Sequence, residues 1–146
     1  MDGTGPRTCS VARTLEVVGE RWALLVVREA FLGVHRFDEI RRNTGAPRDI
    51  LSARLKSLVA AGVLERRQYQ DRPVRHEYHL TAAGRDLYPV IVALRQWGDR
   101  HVHRDGPQPR RFLHECGGGD PASLICPDCG EAVEAGSYRP TAQAVG

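Results

Sequence analysis

The sequence contains no long apolar run, and this absence limits what the protein can be. Its longest uninterrupted apolar stretch spans the six residues from Trp22 to Val27, and Arg28 closes it. A helix that crosses a bilayer needs about 20 such residues. The first residues also lack the basic region and apolar stretch of a secretory signal. We therefore expect a cytoplasmic protein with no membrane partner.

Sequence motifs of catalysis are also missing. The sequence holds no G-x-S-x-G element, no phosphate-binding loop, and no carboxylate pair or His/Asp set at the spacing of a catalytic site. We therefore predict that the protein is not an enzyme.

The composition indicates a folded domain with an uneven charge distribution. The chain has 146 residues, of which 41% are hydrophobic and 27% charged, enough to bury one core. Residues 36–76 carry ten basic side chains against five acidic ones, whereas residues 113–146 carry one against five. A basic middle segment in a chain of net charge +3 is typical of a surface that binds a polyanion.

Hydrophobic periodicity predicts four helices, a hairpin and a final helix. The helices are expected at 10–19, 20–32, 37–44 and 48–61, because their apolar residues recur at helical spacing. Two runs of strand-forming residues, 63–70 and 75–80, flank a turn at 71–74. A last helix is expected from Ala82 to Val102, with Thr81 as its N-cap and Pro89 as a point of bending. The predicted fold class is α+β and mainly helical.

The order of these elements is that of a winged helix–turn–helix. Two helices are joined by the turn Gly45-Ala46-Pro47, and a hairpin with a basic tip follows. We predict that the second helix reads the major groove of double-stranded DNA and that the hairpin contacts phosphates or the minor groove. Taken singly, each basic residue could instead be only a solvated surface group. The predicted DNA-binding residues are Arg36, Arg48, Ser52, Arg54, Lys56, Arg72 and Arg75.

An ordered series of motifs resembles the HxlR family of bacterial winged-helix regulators, which is close to the MarR proteins. The resemblance covers about residues 9–103 and implies a homodimeric transcription factor that binds a pseudo-palindromic operator. Family members often have lysine where this chain has Arg21. The matching elements are Cys9, Gly19-Glu20-Arg21-Trp22, Gly33, Arg36-Phe37, Leu51-x-x-Arg54-Leu55-x-x-Leu58, Gly62-Val63-Leu64-x-Arg66, Pro73, Glu77-Tyr78-x-Leu80-Thr81, Gly84 and Trp97-Gly98.

A homodimer is also predicted from the last helix itself. Its apolar residues form one continuous stripe, and no intramolecular partner is evident from the sequence. The alternative is that the stripe covers the core of its own domain. The residues predicted at the dimer interface are Leu15, Leu87, Ile91, Leu94 and Trp97.

Cys9 is a candidate redox sensor. It precedes the first helix, where the helix dipole favours a thiolate, and Arg7 and Arg13 are near in sequence. The family resemblance implies that a cysteine at this place senses oxidants or electrophiles. The alternatives are a cysteine that only packs, and a small-molecule effector as the regulatory signal.

The C-terminal tail contains a candidate zinc site. Cys126 and Cys129 form a C-x-x-C pair followed by Gly130, and His114 and Cys116 raise the number of ligands to four. We expect one structural zinc ion per chain in a β-rich module that resembles a zinc ribbon. The spacing of His114 and Cys116 is tight, so His103, Asp128 or a water could replace the histidine. Free thiols or a Cys126–Cys129 redox pair are the other readings.

These observations predict three regions: a winged-helix and dimerisation domain at 8–104, a linker at 105–110 and the small tail at 111–146. The leading function is sequence-specific regulation of transcription. The alternative is an adaptor whose winged helix and zinc ribbon contact proteins of the transcription machinery.

Overall fold

The computed structural model describes residues 9–102, 105–106, 112–119 and 122–139. The chain divides into two compact units, Met1–Ile91 and Val92–Gly146. Most of the predicted linker, residues 107–110, and residues 103–104 lie outside the described residues. The elements in chain order are α1 (Ser10–Val18), α2 (Arg21–Phe31), α3 (Phe37–Thr44), α4 (Arg48–Ala60), β1 (Leu64–Asp71), β2 (Val74–Leu80), α5 (Ala82–Arg85) and α6 (Tyr88–His101).

The core of the first unit lies among α2, α3, α4 and the base of the hairpin. Each element contributes the apolar residues that its periodicity places on one face, so the spacing that predicts the helices also forms the core. Ile40 from α3, Leu51 and Leu55 from α4, and Leu64 from β1 are almost fully buried. The whole buried cluster is Val18, Ala23, Val26, Val27, Ala30, Ile40, Ala46, Leu51, Leu55, Leu58, Val63, Leu64 and Leu80.

The turn between α3 and α4 fixes how the two helices cross. Gly45 ends α3 with φ of 76°, a left-handed conformation that a side chain would strain, and its N–H donates to Arg41 O. Ala46 is buried against the core, and the Thr44 hydroxyl accepts its N–H at 3.2 Å. The backbone of α4 is joined to the turn where Leu51 N–H donates to Pro47 O.

The hairpin β1–β2 is antiparallel and rises from the core. Leu64 pairs with Leu80 at the base, and the register shifts between Gln68 and Gln70 before the tip, where Asp71 pairs with Val74. The base of the hairpin packs closely against α5 at Gly84, where a Cβ atom would lie only 2.2 Å from Val63 O. The two-stranded wing is therefore confirmed, and its outer half projects beyond the core.

The prediction of one continuous helix from Ala82 to Val102 is wrong. The structure has a short α5 and a separate α6, with a turn at Asp86 and Leu87. Pro89 has no N–H to donate to Arg85 O, and its ring would clash with that carbonyl, so α5 cannot continue through it. The proline instead occupies the first turn of α6, where a missing N–H costs nothing.

Candidate nucleic-acid interface

The wing is attached to the loop before α3 through backbone pairing. Tyr78 N–H on β2 donates to His35 O at 2.9 Å, and Arg36 and Glu77 form a single antiparallel bridge. His35 Nδ1–H donates back to Tyr78 O at 3.0 Å. Residues 35–36 therefore act as a short third strand at the edge of β2, and they fix the wing relative to α3 and α4.

Side chains reinforce this attachment. Arg36 Nε lies 3.2 Å from Glu77 Oε1, and His79 Nε2 donates to the other carboxylate oxygen at 3.0 Å. The His35 and His79 rings stack with centroids 4.0 Å apart. The hydrogen bonds from His79 and then Arg36 lower the pKa of Glu77, while the bond to Glu77 raises the pKa of Arg36. Arg36 is therefore a fixed cation at the base of the wing.

Three of the predicted DNA-binding arginines share one groove. Arg36 from the loop before α3, Arg48 from α4 and Arg75 from β2 line a groove of about 400 Å³ together with Tyr69. The Arg36 guanidinium lies over the Tyr69 ring at 4.4 Å. The remaining lining residues are Phe37, Asp38, Glu39, His76 and Tyr78. A groove between α4 and the wing with three arginines is a surface suited to a phosphate backbone.

Arg48 is held less firmly than Arg36. It lies 3.4 Å from Asp38 Oδ1, and its guanidinium is 5.2 Å from the Phe37 ring. Both side chains of this ion pair are mostly exposed, at 65% and 82%. Exposed pairs contribute about 0–1 kcal/mol, so Arg48 can leave Asp38 at little cost.

Ser52 and Lys56 occupy the next two turns of α4. They line a second hollow, of about 320 Å³, whose other wall includes Arg66 on β1 and Tyr78 on β2. Lys56 and Arg66 form no ion pair with any residue of the described part of the chain. Two positive charges without an ion pair to the described residues therefore lie at this hollow, Lys56 on α4 and Arg66 on the wing.

The other two predicted DNA-binding residues lie outside both hollows. Arg72 is exposed at the wing tip, next to Pro73. Arg54 points in another direction, since its Nε is buried 3.9 Å from Glu20 Oε2 at the start of α2 and makes no hydrogen bond. The structure brings Arg54 towards α2 and away from Ser52 and Lys56.

Sequence reasoning missed the polar contact that orients α3. Glu29 on α2 is 3% exposed and accepts hydrogen bonds from Arg28 at 2.7 Å and from Asn43 on α3 at 2.8 Å. A buried carboxylate needs such partners. The sequence contains one signal for this contact, because Glu29 is a charged residue on the otherwise apolar face of α2. Its partner Asn43 is not evident from spacing.

Cys9 is the N-cap of α1. Its sulfur accepts the Ala12 N–H at 3.3 Å, and the residue is exposed. Arg7, which the sequence places near it, lies outside the described residues. A reagent in solution can therefore reach the thiol, and the same sulfur caps the first turn of α1.

The predicted dimer residues fall into two groups. Leu87 and Ile91 are half-buried and pack against the core of their own unit. In the first unit Leu15 is 57% exposed, and in the second unit Leu94 and Trp97 are 50% and 61% exposed. Only part of the apolar stripe therefore covers the core of its own chain.

The three tail cysteines form no disulfide bond in the structure. Cys126 is half-buried, and the N–H groups of Cys129 and Asp128 hydrogen-bond to its sulfur and lower the pKa of the thiol. Cys116 and Cys129 are exposed. Among the described residues, no group of three or more His, Cys, Asp or Glu side chains is placed to hold a metal ion.

Comparison with known proteins assigns the family. The model of the HxlR-like helix-turn-helix family matches residues 17–106. The chain belongs to this family. Over 132 residues, it is 51% identical to Rv3095, an uncharacterized HTH-type transcriptional regulator of Mycobacterium tuberculosis, and the match covers 90% of this chain and 84% of that one.

Solved structures of similar proteins agree with the fold. PA1607, described as a proposed transcription factor, superposes with a TM-score of 0.81 at 35% identity over 93% of this chain and 96% of its own. The redox regulator HypR in its oxidized form superposes with a TM-score of 0.57 at 33% identity, over 67% of this chain and all of its own. The predicted family, the winged helix and the absence of an enzymatic role are thereby confirmed.

The family implies that this HxlR-like chain binds DNA. The basic grooves between α4 and the wing are the surface with the chemistry for that role. Within the described residues, no helix is both long and apolar enough to cross a membrane.

Replacing Glu77 with glutamine is expected to destabilise the protein at pH 7 and to matter less in acid. The pKa of Glu77 is lowered in the folded state, so its contribution is present above the unfolded pKa of about 4.3 and is lost as the pH falls through the folded pKa. Urea unfolding of both proteins at pH 7 and in acid measures the difference.

Glu65→Gln is the matched control, because Glu65 pairs with the exposed Arg67 on the same hairpin. Its effect should be small throughout. A Glu77→Gln defect of the same size at every pH would contradict the proposed charge network.

Proposed function

We propose that the protein regulates transcription as a homodimer that reads a pseudo-palindromic operator and that oxidation or alkylation of Cys9 changes its affinity for DNA. The observation that supports DNA reading is the convergence of Arg36, Arg48 and Arg75 on one groove beside the N-terminal turn of α4. The N-terminal part of a recognition helix is the part that contacts base edges in helix–turn–helix proteins.

Arg36 and Arg48 are proposed to have different roles in DNA binding. Arg36 is held by Glu77 and Tyr69, so it suits a phosphate contact that sets the register of the protein on the duplex. Arg48 is only weakly paired and is followed one and two turns later by Ser52 and Lys56. These three side chains are proposed to meet base edges in the major groove, while Arg72 and Arg75 contact the backbone or the minor groove.

Alanine substitutions at Arg72 and Arg48 are expected to change DNA binding in different ways. Arg72→Ala should weaken binding to every duplex and reduce the salt slope by about one, because one phosphate contact is lost. Arg48→Ala should cost about 1–3 kcal/mol on a preferred site and relax one base position, because a base contact is lost. The measurement is a salt-dependent titration against a genomic fragment retained by the purified protein and against a random duplex.

Arg100→Ala is the control, because it removes one positive charge from α6 instead. It should leave the affinities for the genomic fragment and for the random duplex unchanged. Unchanged affinity in the Arg72 and Arg48 variants would contradict the proposed roles. A wild-type protein that binds no duplex in a salt-dependent way would favour the adaptor function instead.

The homodimer is supported by apolar side chains that the chain leaves uncovered. Val11 and Leu15 on α1, and Leu94, Trp97 and Val102 at the C-terminal end of the chain's helical part, are all at least half exposed. Large exposed apolar residues on two helices are typical of an interaction surface. We propose that a second copy of the chain covers both helices, since two half-sites need two recognition helices.

Leu94→Asp is expected to convert the dimer into a monomer, because it would place a charge in an apolar interface. Size-exclusion chromatography with light scattering at micromolar concentration measures the mass. Leu32→Asp is the matched control, because Leu32 is equally exposed, at 51%, but lies at the end of α2. A monomeric wild type, or a dimeric Leu94→Asp variant with native circular dichroism, would contradict the interface.

The redox step depends on the position of Cys9 as a cap. A quinone adds to the thiolate, and hypochlorite oxidises it to a sulfenic acid. Either modification changes the sulfur that accepts Ala12 N–H, so the first turn of α1 loses its cap. Because α1 belongs to the proposed interface, a change there tilts the two recognition helices and alters their half-site spacing. The structural neighbour HypR is described as a redox regulator, which supports a redox role for this chain.

Cys9→Ser is expected to abolish the response of DNA binding to quinone or hypochlorite. Serine is a good N-cap, so this variant keeps α1 and tests reactivity alone. Affinity for the retained genomic fragment is measured before and after treatment. An equal response in both proteins would place the switch elsewhere, and no response in either would favour a small-molecule effector.

A further inference from the structure

The tail contains two short hairpins with the same turn chemistry. In hairpin A, residues 113–119, Leu113 bridges to Gly119 around Cys116 and Gly117. In hairpin B, residues 125–132, Ile125 bridges to Ala132 around Cys129 and Gly130. Both turn glycines have positive φ, 87° and 76°, so each cysteine is followed by a left-handed residue that tightens the turn.

Each hairpin presents two donor atoms of the type that zinc prefers. Hairpin B carries Cys126 and Cys129, and its turn is closed where Gly130 N–H donates to Cys126 O at 2.8 Å. Thiolates are the ligands of structural zinc sites, and two cysteines at this spacing around a tight turn can bind one tetrahedral ion.

Hairpin A repeats this arrangement with a histidine in place of one cysteine. Gly118 N–H donates to the Cys116 sulfur at 3.4 Å, and Cys116 N–H donates to His114 Nδ1 at 3.3 Å. The lone pair of Nδ1 therefore faces the same turn as the sulfur. A metal at this turn would take the place of the Cys116 N–H as the partner of Nδ1.

The hairpins have no core that could hold them. Among residues 112–119 and 122–139, none is buried, and only Cys126 and Val133 are half-buried. Leu113 and Leu124 are 73% and 61% exposed. A segment this small normally needs a cross-link to keep a fixed structure.

We propose that Cys116, Cys126 and Cys129, with His114 as the fourth ligand, bind one zinc ion that joins hairpin A to hairpin B. The four donors stand as two pairs, and no three of them are assembled in the described structure. Metal binding would therefore bring the hairpins together, so that ordering of the tail is coupled to the ion. Four protein ligands leave no open position, which makes the site structural.

The test compares wild type with single-ligand variants of the full chain, purified with reductant and without added metal. Wild type should hold about one zinc per chain, and Cys116→Ser and Cys126→Ser should each lose most of it. His114→Ala should bind more weakly. Cys9→Ser is the control and should keep its zinc. Absorption of the cobalt-substituted protein counts the thiolate ligands, with three expected.

Two outcomes would overturn the proposal. The first is full zinc content in Cys116→Ser, which would confine the ion to hairpin B. The second is a reduced wild type that binds neither zinc nor cobalt, which would favour free thiols or a Cys126–Cys129 redox pair. Circular dichroism of each variant separates loss of the ion from unfolding. Zinc content is measured without DNA, so failure here leaves the proposed DNA-binding function untouched.

Discussion

The pairing of residues 35–36 with the edge of β2 is the constraint on which the proposed DNA-binding surface depends. An isolated two-stranded hairpin is only marginally stable in water. Here one backbone hydrogen bond and one imidazole hydrogen bond between His35 and Tyr78, together with the Arg36–Glu77 ion pair, attach the hairpin to the loop before α3. Without them, the groove that brings Arg36, Arg48 and Arg75 together would have no fixed width.

The position of α4 depends on two further contacts. The Glu29–Asn43 hydrogen bond fixes α3 on α2, and the turn at Gly45 fixes α4 on α3. The helix α4 is thus fixed by these contacts and by its own core residues Leu51, Leu55 and Leu58, while its outward side chains Ser52 and Lys56 take no part in the core.

Sequence reasoning predicted local structure well and long-range polar contacts poorly. The bounds of α3 were predicted correctly because Gly45 and Pro47 punctuate a clear helical period. The break between α5 and α6 was missed because Pro89 was read as a bend within one helix. The pairing of residue 35 with residue 78 has no local signal, since backbone hydrogen bonds are available to any residue. The direction of Arg54 was equally hidden, because it depends on where Glu20 lies.

Two features of the chain are not accounted for by its own packing: the exposed apolar side chains on α1 and α6, and the described part of the tail, which has no buried residues. Leu15, Leu94 and Trp97 expose apolar area that a second copy is proposed to cover, and the tail has cysteines in place of a core. The proposed dimer would cover the exposed apolar side chains, and the proposed zinc ion would order the tail. Either proposal can therefore be correct without the other.

Selection of bound duplexes from a random-sequence pool tests the central claim most directly, because it asks whether this surface reads sequence as a symmetric pair. A symmetric dimer should enrich an inverted repeat whose half-sites are centred about 10 base pairs, or a multiple of one helical turn, apart. A pool that stays random after several rounds, or that enriches a single unrepeated half-site, would contradict it.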